Sequence, residues 1–154
     1  YDSGRCDAYT TDLSGLYSQR LKLKNSDDHI VLPEIISKEP LGPLVREGDN
    51  QWGDVVRWTF NAMITGEELG VSSENVEAMK SSSNPSVRRL LGVEGRLGPQ
   101  LGLPQDWAYH VIREVGNYQE VYDRTVGKDT PLKIERGVNA LWVDGGLHYA
   151  PPIR

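Results

Sequence analysis

Between Asn50 and Gly70 the sequence carries Trp52, Val55, Val56, Thr59, Phe60 and Met63 at helical spacing. That pattern gathers them into one apolar stripe. A helix of about twenty residues is roughly 30 Å long, so whatever folds around it must offer a sheet face or several other helices of matching length. Glu47-Gly-Asp-Asn50 supplies the turn and the N-cap, and Gly70 supplies the stop. The tryptophans of this stretch are read as core rather than as ligand-stacking groups.

Beyond Gly70 the chain is punctuated at short intervals. Ser73 can cap a short helix running to Met79, and Ser81-Ser-Ser83 is a polar linker. Asn84-Pro85 places an N-cap before a proline at the first helical position of another helix, which ends near Leu91. Residues 93–102, rich in glycine with Pro99 among them, read as an exposed loop. No Gly-Lys-Ser/Thr succeeds it, which excludes a phosphate loop. Pro104 opens a helix with Trp107, Val111, Ile112 and Val115 on one side and Gly116 at its end, and Asn117 caps the next, which carries Tyr118, Val121, Tyr122 and Val126. A short helix is expected within Leu132–Trp142, then a turn at Asp144-Gly-Gly146 and an extended tail through Pro151-Pro152.

The first fifty residues read differently. Arg5–Thr10 is strand-like. Leu13, Leu16, Tyr17 and Leu21 line one side of a helix over Leu13–Leu23, and His29–Leu32 forms a second strand stopped by Pro33. Ile35–Pro40 is extended and Leu41–Arg46 is again strand-like. The expected class is α/β, with few strands and a helix-rich C-terminal region. A start one step before a buried strand predicts that the chain is a cut piece of something longer. Strands lacking most of their neighbours would leave edges open to self-association or a domain swap.

Charge and composition remove several functions. Lys and Arg number 17 against 22 Asp and Glu, giving a net charge of −5, so a broad nucleic-acid-binding surface is not expected. No apolar run approaches the ~18 residues of a membrane span. His29, His110 and His148 are too far apart for a zinc signature, and no metal or cofactor is expected. Cys6 is the single cysteine. Mid-strand, it is expected to be buried and unreactive in the native chain, and without a neighbouring base it is not a nucleophile.

Chemistry is concentrated where the first strand ends, at Thr10-Thr11-Asp12. Open α/β sheets bind ligands at the C-terminal ends of their strands, which makes Asp12 a candidate ligand contact. The residues alone allow the alternative that Asp12 simply caps the helix from Leu13. A carboxylate suits an ammonium ligand, which offers three donors and a full charge. Thr10 and Thr11 point to opposite faces and either hydroxyl can assist.

The run Gly4-Arg-Cys-Asp-Ala8 followed by Asp12 resembles the last strand of the second lobe in periplasmic amino-acid-binding proteins of ABC importers. The likeness is strongest to the general L-amino-acid branch, which Leu32–Gly42, Asn139-Ala-Leu-Trp142 and Tyr149–Arg154 also resemble. The resemblance extends over the whole chain but only to the C-terminal half of proteins about twice as long. It implies a partial type II periplasmic-binding fold, with residues 1–36 as a remnant of lobe two and 37–154 as the C-terminal part of lobe one. It further implies a periplasmic, non-enzymatic transport component that binds L-amino acids through Asp12, Thr11 and Thr10 and engages an ABC permease in the inner membrane; the alternatives are an enzyme on the same fold or a stable remnant that binds no ligand. In that branch the position of Cys6 pairs with a cysteine earlier in the same lobe.

Overall fold

A computed structural model describes residues 1–38 and 40–153. Its helices are α1 (Leu13–Arg20), α2 (Asn50–Glu68), α3 (Val76–Met79), α4 (Pro85–Leu90), α5 (Leu97–Gln100), α6 (Trp107–Val115) and α7 (Tyr118–Thr125), with 3-10 turns at Ser26–Asp28, Gly137–Asn139 and Trp142–Asp144.

The long amphipathic helix forms where its stripe requires. Asp49 accepts a hydrogen bond from the Trp52 N–H at 3.1 Å, and α2 then packs its apolar side against α6, α7 and α4. Val71, Val76, Val87, Leu91 and Ile112 are buried between these helices, Ile112 completely. A smaller cluster joins Ile64 to Leu141 and Ala150, with Phe60 and Tyr118 packed on it. The tail closes over this body: Ile153 is buried in the main core and its carbonyl accepts from Arg89 Nε at 3.2 Å.

Polar punctuation does what residue chemistry dictates. Asn84 accepts from the Ser86 N–H ahead of α4. At α7, Asn117 and Glu120 form a reciprocal capping box, with Asn117 N to Glu120 Oε2 at 2.7 Å and Glu120 N to Asn117 Oδ1 at 3.0 Å. Gly116, at φ +91°, makes the reversal between α6 and α7 in a conformation that L side chains rarely adopt.

Several expectations are corrected. The strands expected at Arg5–Thr10, His29–Leu32 and Leu41–Arg46 are not formed. Among the described residues the only β-pairing is an isolated bridge between Leu141 and His148. A strand exists only by pairing, and no described segment forms a ladder with these stretches; Val45 instead lies beside Gly53 of α2 and His29 beside Tyr1. With no sheet to cover it, Cys6 is exposed rather than buried. Trp52 is 54% exposed, whereas Trp58 packs against the core and Trp107 is buried. The expected helix within Leu132–Trp142 reduces to the 3-10 turn at Gly137–Asn139, while α5 forms inside the segment read as a loop. Every buried residue among those described lies at Asn61 or beyond.

Candidate functional site

Thr10, Thr11 and Asp12 lie in extended backbone that feeds directly into α1, and all three are exposed. Asp12 occupies the N-cap position, with φ −52° and ψ 146°, and its carbonyl accepts from the Leu16 N–H at 2.9 Å. Its carboxylate makes no capping hydrogen bond. The backbone of Asp12 therefore starts the helix while its side chain is free for another partner. Gly4, at φ +75°, closes a turn by donating its N–H to the Tyr1 carbonyl at 2.8 Å.

A second ionisable group, which sequence reasoning did not assemble, sits between α2, α7 and the C-terminal loop. Arg136 pairs with Glu67 at 3.0 Å, the two side chains being 18% and 8% exposed. Arg136 also donates to the Asn139 carbonyl and lies 5.1 Å from the Tyr118 ring centroid and 5.2 Å from that of Tyr122. Burial raises the pKa of Glu67 above the usual carboxylate value, and Arg136 only partly offsets it. His148 stacks on Tyr118, with centroids 4.4 Å apart, and on Phe60 at 5.7 Å. Burial and the nearby Arg136 cation push its pKa down. The members are separated by up to about ninety positions in sequence, and no local pattern brings them together. The arrangement ties the C-terminal loop to the helices.

The described residues line surface clefts. One, of about 460 Å³, is lined by Asp123, Lys128, Lys133, Ile134, Glu135 and Arg136, and another, of about 280 Å³, lies between Trp52 and Leu103. Neither includes Thr10, Thr11 or Asp12. His110 pairs with Asp106 one turn away and His29 accepts or donates to the Tyr1 hydroxyl, so the three histidines are apart in space as well as in sequence. Among the described residues no group of three or more His, Cys, Asp or Glu is arranged to hold a metal ion. No described helix is long and apolar enough to cross a membrane.

No protein-family model matches the chain. The general L-amino acid-binding periplasmic protein AapJ of Rhizobium johnstonii is 60% identical to it, over 100% of this chain and 46% of that protein. The chain is a homologue of the periplasmic amino-acid-binding proteins of ABC transporters. The glutamate/glutamine/aspartate/asparagine-binding protein BztA of Rhodobacter capsulatus is 52% identical, again over the whole chain and 46% of its own length. A solved periplasmic binding protein of an ABC transporter from Brucella ovis, with glutathione bound, superposes with a TM-score of 0.93 at 58% identity, covering 100% of this chain and 49% of that one. The chain spans about half the length of the curated relatives it matches, and its fold is that of the matching part of a periplasmic binding protein. The superposition includes its first fifty residues, which form no strands among those described.

Proposed function

We propose that the chain is part of the substrate-binding component of an ABC importer for L-amino acids, acting in the periplasm without catalysis and presenting its ligand to a permease in the inner membrane. The observation that carries this reading is identity of 52–60% with amino-acid-binding relatives along the full 154 residues. Residues 1–36 close one lobe of a type II binding fold and residues 37–154 belong to the other, with the crossing between them at Ile36–Glu39; Glu39 itself lies outside the described residues.

In this reading Asp12 accepts the α-ammonium of the ligand, with Thr11 or Thr10 adding a hydroxyl. An exposed carboxylate not committed to helix capping supports that role. The glutathione of the Brucella relative fits the same chemistry, because its γ-glutamyl end presents a free α-ammonium and α-carboxylate just as an amino acid does. Asp12→Ala, made in the protein as its source produces it, tests the assignment by calorimetric titration with L-glutamate, L-glutamine and L-aspartate. Loss of one partner of a desolvated charged pair costs ~2–5 kcal/mol, or about thirty-fold or more in affinity. Unchanged affinity would sink the role of Asp12.

The exposed extended segments favour a second reading for the 154-residue chain on its own. Ile36 is 83% and Leu44 98% exposed, and such edges pair with another copy when nothing else covers them. Sedimentation decides between the two readings: a monodisperse monomer that binds an L-amino acid tightly removes self-association.

A further inference from the structure

Gly15 is the third residue of α1, and its backbone is ordinary right-handed helix, so nothing in its φ calls for glycine. A glycine inside an exposed helix is unfavourable relative to alanine, which makes its neighbour the point of interest. A Cβ added at Gly15 would lie 2.9 Å from Thr11 Cγ2, 3.5 Å from Thr11 Oγ1 and 3.8 Å from Thr11 Cβ. The Thr11 side chain therefore folds down over the first turn of α1 into the space that the missing side chain leaves. Threonine has one heavy-atom torsion, which carries Cγ2 and Oγ1 together and is stiff because of the β-branch. Relieving a clash at Cγ2 by rotation necessarily re-aims the hydroxyl. From this contact we propose that Gly15 is a positioning residue for the ligand site: it sets the torsion of Thr11 and so points the Thr11 hydroxyl toward the ligand held by Asp12.

The inference rests on the reading that Thr11 and Asp12 contact the ligand, and the test separates the two. In the protein as its source makes it, Gly15→Ala is expected to raise the Kd for L-glutamate, L-glutamine and L-aspartate by about tenfold or more, while the Tm does not fall, since alanine favours the helix. The Thr11 methyl couplings measured by NMR are expected to report a changed torsion. Thr11→Ser keeps the hydroxyl and deletes Cγ2, so the double variant Gly15→Ala/Thr11→Ser is expected to bind within about threefold of Thr11→Ser alone. Such a rescue would not occur if Gly15 served only to hold α1 together. Wild-type affinity in Gly15→Ala, or failure of the double variant to recover, overturns the positioning role. Asp12→Ala distinguishes the failures: if it binds normally the site reading itself is lost, whereas the expected loss in Asp12→Ala beside normal binding in Gly15→Ala overturns the role of Gly15 alone.

Discussion

His148 and Glu67 flank the same arginine and respond to acid in opposite senses. Burial, then Arg136, lowers the pKa of His148 below 6.5, so between its folded value and 6.5 the unfolded chain holds more protons than the folded one. The stability that His148 contributes is complete above 6.5 and is lost as pH falls through that window. Burial raises Glu67 above 4.5 against the pull of Arg136, so its contribution is complete below 4.5 and is lost as pH rises through its folded value. Around the imidazole stand Phe60 from α2 and Tyr118 from α7, with the Arg136 cation nearby, itself paired with Glu67 and lying over Tyr118 and Tyr122. His148→Phe keeps an aromatic ring against Phe60 and Tyr118 and removes the proton. We expect denaturant midpoints to drop more between about pH 7.5 and about pH 5.5 in the unsubstituted chain than in His148→Phe. Equal drops would show that the imidazole is not coupled to folding. None of this was legible in sequence, because the cluster draws on α2, α7 and the tail, and only the folded chain brings those three together.

Among the elements, the start of α7 joins most parts of the body. Asn117 is buried. It caps the helix through Oδ1, and its Nδ2 donates to the Val71 carbonyl at 2.9 Å, while Glu120 reaches back to the Ser73 N–H at 3.1 Å. Asn117→Ala therefore removes a cap and leaves a buried carbonyl without its donor, and we expect a loss of about 2–3 kcal/mol in urea unfolding. Asn117→Ser keeps a capping oxygen without adding a charge and loses the Nδ2 donor, so a cost as large as that of alanine would assign the effect to the lost Val71 contact rather than to the cap. The caps of α2, α4 and α7 could be read in advance because each is a local agreement between a side chain and the nearest free backbone groups, and Gly116 marked the end of α6, but α6 begins at Trp107 rather than at Pro104 and has no side-chain cap. The strands could not be verified from the same kind of signal. Alternation and β-branching at Arg5–Thr10 and His29–Leu32 announce that a segment suits a sheet, but a sheet is a relation to other strands, and no described residue supplies them. The same distinction applies to Thr10, Thr11 and Asp12: the motif nominated them as candidates, while the commitment of the Asp12 backbone, but not its carboxylate, to α1 needed coordinates.

At the scale of the whole molecule, the chain divides by burial, with no buried residue described before Asn61 and a packed helical body after it. Within 30–45 the apolar side chains of Ile30, Leu32, Ile35, Ile36, Leu41 and Leu44 are exposed. Pro33, Pro40 and Pro43 lack an N–H, which restricts any pairing to one side or to short runs and blunts the edge against indiscriminate partners. A segment held in the path of a protein twice as long, at a TM-score of 0.93, with its apolar groups uncovered, has the character of an interior surface. Leu44 gives the sharpest test. In the 154-residue chain it is 98% exposed, so Leu44→Lys is expected to change stability by no more than about 0.5 kcal/mol, as for other surface substitutions. In a chain extended to the length of the relatives, the same substitution would place a charge against a covered apolar face, and the expected loss is about 2 kcal/mol or more. Chemical unfolding of both chains, each with and without the substitution, measures the difference. A neutral effect in both would mean that Leu44 faces solvent in the longer protein as well, and the arm would then have to be covered elsewhere along its length or not at all.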